Sequence, residues 1–362
     1  MKILKLPSRL LITCILTSSM FVFGCKNQNE NIIRIGAILP LTGALSEIGT
    51  DEKLAIDMAV EEFDVKKKIK IEYRDSKGNV KESLSAAAQL INQGVNKIIL
   101  STTSVVIANL EKYQDTDLLF LAQCMAPQVV RNYKNALRIY ISVDLETDLI
   151  KDYVNKNQYG KLSYFYINND FGQSAINEIK SKINSNIETQ IESFSYQDKN
   201  YQNQILKIIN YNPDAIIIYS YPQQWLNILK QVEQYKFENK IIANSGASFL
   251  LNEIEELKIS KKLVVPLPKY IYEKNDTLIN KFKDLLAKRT SKSANYDIIY
   301  FYDMMKILIE NIYAYPNANN SELINFITSK DYIGISGDLK FFERDIKSLD
   351  LKLSEIDEIK EY

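Results

Sequence analysis

Four hydroxyl side chains in a row, Ser101, Thr102, Thr103 and Ser104, interrupt the apolar stretch KIILSTTSVV at residues 97–106. The run before them reads as the end of a buried strand and the run after them as a helix, so the hydroxyls fall at a strand-to-helix turn. Hydroxyls beside the free backbone amides of a helix start favour an anion by charge and by geometry. They also cap helices with no ligand present. We read the row as one wall of a small-molecule cleft, with capping as the alternative.

Catalytic chemistry finds little support. The chain has no histidine, which removes the commonest general base and the commonest metal ligand together. It carries no glycine-rich phosphate motif and no metal-ligand spacing, so no cofactor and no metal are expected. Of its three cysteines, Cys14 and Cys25 lie in the first 25 residues. Only Cys124 remains in the body, where no intramolecular disulfide can form. Without a histidine to activate it, Cys124 reads as a small half-buried apolar side chain rather than a nucleophile. The balance of 45 basic against 45 acidic residues gives no basic face for nucleic acid. The pair Glu61 and Glu62 and the run Lys66 to Lys68 read as surface charge.

The elements that would hold the hydroxyl row alternate. Apolar strand-like runs such as RIGAIL, KIIL and LLFLA are separated by amphipathic helical ones, among them DEKLAIDMAVEEF with Leu54, Ala55, Met58, Ala59 and Phe63 at three- and four-residue steps. That order predicts a doubly wound parallel sheet. It then repeats with KLSYFYI, TQIESFSY, DAIIIYS and KIIAN, each but the last followed by a helix. At 362 residues the chain suits two such lobes. The expected division is 32–140 plus 270–330 for the first lobe and 144–266 plus 335–362 for the second, with about three crossovers able to bend as a hinge. Ligands bind outside the carboxyl ends of parallel strands. Those ends are PLTG, STTS and QCMA in one lobe and NNDFG, YSYPQ and ANSGAS in the other, all small, polar or aromatic.

Residues 1–25 form their own segment: Lys2, Lys5 and Arg9 precede an uncharged run from Leu10 to Gly24, and Cys25 is followed by polar residues. The run is shorter than the roughly 20 residues of a spanning helix, which reads as an export signal. VFGC at residues 22–25 resembles a bacterial lipoprotein signal, implying a lipidated Cys25 and an exported chain anchored to the cell envelope.

The ordered series IRIGAILPLTGALSEIG, STTS, YINNDFGQSAINEIK, NPDAIIIYSYPQQW, SANYDIIYFYDMMKIL and GISGDLKFFERD resembles the substrate-binding proteins of ABC importers with the type 1 periplasmic-binding fold. It is closest in pattern to their branched-chain amino-acid group. The resemblance implies an α/β protein of two lobes, monomeric, that traps a small polar metabolite such as an amino acid, amide or small acid and presents it to an ABC permease. A sensor of the same fold signalling to a membrane receptor stays open as an alternative, and a secreted enzyme as a remoter one.

The site residues follow from the same resemblance. Ser104, with Thr103 beside it, matches the hydroxyl that holds a ligand carboxylate. Cys124 and Ala126 occupy an edge where relatives offer a backbone carbonyl and a threonine. Phe171 stands where a tyrosine often covers the ligand, and Tyr221 matches a second cleft tyrosine. Asp170 reads as a helix cap and Trp225 as core. Ser245 lies where amino-acid binders place an acid for the ligand ammonium, and NSGAS offers none. Burying an ammonium without a counter-charge costs several kcal/mol. Either Asp170 or another acid substitutes, or the ligand is a neutral or anionic metabolite held by Ser104, Tyr221, Asn244 and Ser245; the second option is the expectation.

Overall fold

The computed structural model describes residues 32–273, 275–348 and 350–356. The leader and Cys25 lie outside these. Five parallel strands make the first sheet: β1 (Ile33–Leu39), β2 (Ile69–Asp75), β3 (Lys97–Ser101), β4 (Leu119–Gln123) and β5 (Ala136–Leu137), in the order β2-β1-β3-β4-β5. The central strands are apolar at nearly every position because both faces are covered. Ile98 and Leu100 of β3 pack with the helices Val80–Asn92 and Thr103–Tyr113, whereas Ile99 packs on the opposite face with Ser46–Phe63 and Tyr296–Ala314. That is the two-residue period of a strand buried on both sides. The edge strand β2, IKIEYRD, is only half-buried and correspondingly mixed in composition.

The second sheet contains β6 (Lys161–Ile167), β7 (Glu188–Phe194), β8 (Ala215–Tyr219), β9 (Lys240–Ala243) and β10 (Leu263–Pro268), all parallel. Its own core holds Phe165, Ile217, Trp225 and Leu229. Again the all-apolar AIIIY is central and the polar ETQIESF is the edge.

The C-terminal part departs from the expected division. A hairpin sheet of β11 (Tyr332–Gly334), β12 (Gly337–Phe342) and β13 (Asp345–Ser348) lies on the first lobe, with Ile335, Leu339 and Ile346 buried in its core. Only β14 (Leu351–Glu355) returns to the second sheet, pairing antiparallel with β10. The segment from 335 to 348, assigned from sequence to the second lobe, is therefore a first-lobe element. Asp303, buried in the helix Tyr296–Ala314, holds it there by accepting the backbone amides of Ile335 at 3.0 Å and Ser336 at 2.8 Å and the Ser336 hydroxyl at 2.6 Å.

The chain passes between lobes three times: at 138–142, between β10 and the helix Thr277–Ala287, and between β13 and β14. The first passage is tied by the fully buried Arg138, whose guanidinium donates to the carbonyls of Cys124, Tyr140 and Ile141 at 2.9–3.1 Å. Its second terminal nitrogen pairs with Asp345 at 2.5 Å, joining the first passage to the start of β13.

Candidate ligand-binding site

The carboxyl ends of the two sheets face each other across a cavity of about 90 Å³. The first lobe contributes Ser101, Thr102 and Thr103 at the end of β3, Gln123, Cys124 and Met125 at the end of β4, and Tyr140 from the first passage. The second contributes Phe171, Ser220, Tyr221, Asn244 and Ser245. Glu52, Phe249, Tyr296 and Asp297 complete the wall.

Most sequence-derived residues meet here, with two exceptions. Thr103, Cys124, Phe171, Tyr221 and Ser245 line the cavity, while Ser104 and Ala126 do not. Ser104, the second residue of the helix Thr103–Tyr113, is not part of the cavity lining, and the strand-to-helix turn presents the three preceding hydroxyls instead. Thr102, at the turn itself, has φ of 70°, a left-handed conformation unusual for a β-branched residue. Its hydroxyl is buried with no partner. Ala126 is buried behind Cys124, whose thiol is pushed up to about 11 by burial and is thus a neutral apolar group at ordinary pH.

Across the gap, Phe171 stacks on Tyr221 with ring centroids 5.2 Å apart and planes 19° from parallel. Gly172 permits this placement: a Cβ there would run into the carbonyl of Ile167 at the end of β6, so only glycine lets the helix Asp170–Lys182 start so close to its strand. The Tyr221 hydroxyl accepts from Asn169 at 3.2 Å. Asn169, not Asp170, supplies the helix cap, through Gly172 N–H at 3.1 Å. Trp225 is fully buried and donates to Asn244 at 3.2 Å, fixing that side chain at the cavity edge.

The acids are what sequence reasoning missed. Glu52 is 1 % exposed, its Oε1 accepting from the Ser101 hydroxyl and its Oε2 without a partner. Asp297 is 4 % exposed and accepts from the Tyr140 hydroxyl at 2.6 Å. Burial, then the nearby Asp297 charge, hold the Glu52 carboxyl well above the usual range. Burial raises Asp297 to about 7. A third acid, Glu146 in the helix Val143–Lys156, sits directly behind Ser245 and accepts its backbone amide at 2.9 Å. Burial lifts that carboxyl to about 7. The second-lobe edge thus lacks an acid in its own sequence, yet carboxyls line the cavity from two other helices and a third stands behind Ser245. A signal for Glu52 existed: it lies on the buried stripe with Ala55, Ile56 and Ala59, where a charge is out of place.

With this geometry in view, the relationship to known proteins is direct. Residues 32–347 match the family model described as periplasmic binding protein. The chain belongs to that family. Periplasmic binding proteins related to it in sequence include Leu/Ile/Val-binding protein homolog 3 of Brucella melitensis, 22% identical over 227 residues, and Leu/Ile/Val-binding protein BraC3 of Rhizobium johnstonii, 24% identical over 229. Each match spans 60% of this chain and 62% of the relative's length. The leucine-binding protein LivK of Thermotoga maritima has the same type 1 fold, with a TM-score of 0.79, 20% identity, and coverage of 89% of this chain and 98% of LivK. A Rhodopseudomonas palustris solute-binding protein in complex with benzoate superposes with a TM-score of 0.80 at 12% identity, over 90% of this chain and 93% of the other. The two lobes and the parallel sheets expected from the alternating sequence are therefore those of the family.

Proposed function

We propose that this protein is an exported solute-binding protein that captures one small metabolite between its lobes and hands it to an ABC permease, held at the membrane by a lipid on Cys25. The observation that carries the reading is the cavity: both lobes build it from strand ends, and four buried polar atoms on its first-lobe wall have no partner within the protein, namely Thr102 Oγ1, Glu52 Oε2 and both side-chain amide atoms of Gln123. Such groups are costly when left bare, and a ligand satisfies them. At roughly 10–15 Å³ for each water-sized volume, the space suits a solute of amino-acid size. Relatives named for leucine, isoleucine and valine binding support that scale. Relatives named as binding proteins favour capture over turnover.

A thermal-shift panel of amino acids, amides, small acids, amines and nucleobases on the purified chain tests this. A true ligand at a hundredfold excess over Kd stabilises the fold by about 2.7 kcal/mol and raises the melting temperature. Tyr221→Ala should remove that shift; the deleted ring also stacks on Phe171, so ligand-free melting falls too and the shift is read against the variant's own baseline. A panel with no stabilising compound defeats the proposal, and a Cys25→Ala chain that still fractionates with membranes defeats the anchor.

A further inference from the structure

We infer that the first lobe carries a cation subsite, formed by the carboxyls of Glu52 and Asp297, and that the captured solute bears a protonated amine seated there. The inference rests on the solute-capture reading and adds the chemical class of the ligand.

Both carboxyls open on the same cavity, and no lysine or arginine is among the described residues that line it. Each acid already has one neutral donor, Ser101 for Glu52 and Tyr140 for Asp297. Neither donor supplies charge. Glu52 keeps a buried oxygen with no partner, and Gln123 beside it keeps a bare donor and a bare acceptor. Two desolvated acids near each other are an unfavourable arrangement that an incoming cation offsets, because an opposite charge favours the ionised form. An anionic ligand would find no basic partner in the described lining and would hold both carboxyls in their protonated form.

The surrounding walls agree. Tyr140, Tyr296, Phe249, Phe171 and Tyr221 present aromatic rings to the cavity, which suit an ammonium group and an apolar remainder. A metal ion fits less well, since no group of three or more potential ligating side chains occurs among the described residues. The subsite also differs in origin from the second-lobe edge at Ser245, which has no carboxylate of its own. Glu52 comes from the helix Ser46–Phe63 and Asp297 from the first turn of Tyr296–Ala314, two helices that pack against each other.

The test is calorimetric titration of the full chain with three matched pairs differing in charge: 3-methylbutylamine against 3-methylbutanoate, benzylamine against benzoate, and leucine against 4-methylpentanoate. The amine-bearing member of at least one pair should bind and its partner should not. Glu52→Gln and Asp297→Asn should each weaken that binding at least about thirtyfold, as expected when one partner of a buried charge pair is lost. Both variants keep an oxygen for Ser101 or Tyr140 and remove a desolvated charge, so their ligand-free melting should equal or exceed that of the parent, which separates site loss from misfolding. Carboxylates binding as well as amines, or amine binding indifferent to both variants, overturns the subsite and leaves solute capture standing. If none of the six binds, the wider panel decides. Ligands there without a cationic group overturn the subsite alone, a cationic one is carried through the same two variants, and no ligand at all overturns capture itself.

Discussion

Glu146 concentrates the residue-scale physics. It is fully buried, with one oxygen on the Ser245 amide and the other unpartnered, and burial lifts its carboxyl to about 7 from the ordinary 4.5. The folded state thus holds this proton more tightly than the unfolded chain does. Its contribution to stability is complete below about pH 4.5 and is lost as pH rises through about 7. Glu146→Gln keeps an acceptor for Ser245 and cannot ionise. The variant should be more stable than the parent at pH 8, by up to roughly 3 kcal/mol, because a tenfold difference in proton affinity between folded and unfolded chains is worth about 1.36 kcal/mol. The two should melt alike near pH 4.5. Glu52 and Asp297 change charge in both proteins, so the difference between the melting curves isolates Glu146. A gap that stays constant with pH would show that its ionisation has no part in stability.

Among the elements, the helix Tyr296–Ala314 links the site to the fold. Its first turn places Tyr296 and Asp297 in the cavity, and two turns later Asp303 holds the hairpin β11–β13. The hairpin is short, and those three hydrogen bonds to a carboxylate hold it together with the Arg138–Asp345 pair and the Arg344 guanidinium on the Val130 carbonyl. Asp303→Ala leaves two buried amides unpaired and should destabilise the chain by about 3–5 kcal/mol, read as a fall in the urea midpoint. Because the hairpin also carries Asp345, the partner of Arg138 in the first passage, ligand affinity should fall in the same variant. Unchanged stability would mean that the hairpin is held chiefly by Ile335, Leu339 and Ile346.

Over the whole molecule, polar contacts join the described residues of the two lobes outside the passages, the Arg131–Asp144 ion pair at 2.6 Å among them. The Tyr196 hydroxyl of the second lobe donates to the Ala44 carbonyl of the first at 2.7 Å, and the Tyr296 hydroxyl donates to Pro266 of β10 at 2.8 Å. Gln128 reaches Ser174 at 3.3 Å. Contacts made only when the lobes are together stabilise the ligand-holding arrangement and no other, so removing one shifts the balance toward the open form. Tyr196→Phe deletes the hydrogen bond at the cleft mouth and nothing in the cavity. Its ligand affinity should drop by about 0.5–1.5 kcal/mol, mostly through faster release. Small-angle scattering of the ligand-free variant should report a larger radius of gyration than the parent; identical affinity and radius would argue against closure at this contact.

What the sequence by itself determined is the part written in local periodicity. Apolar runs such as KIIL and DAIIIYS alternating with amphipathic helical stretches gave the parallel sheets, and the repetition of that order gave two lobes whose polar strand ends form the site. Thr103, Cys124, Phe171, Tyr221 and Ser245 were legible because each lies only a few residues past a strand, where topology alone sends it to the cleft. Ser104 and Ala126 sit within the same short stretches, but the pitch of one turn aims them elsewhere. Only tertiary structure decided the electrostatic character of the cavity. Glu52 and Asp297 are far apart in sequence, on different helices, and become neighbours solely because the apolar stripes of those helices pack together. Glu146 reaches Ser245 from a helix nearly a hundred residues earlier, and the hairpin joins the first lobe through the Asp303 carboxylate and the buried side chains of Ile335, Leu339 and Ile346. Periodicity tells which face of an element is buried; it does not tell what that face is buried against, and the charge presented to a ligand depends on the second.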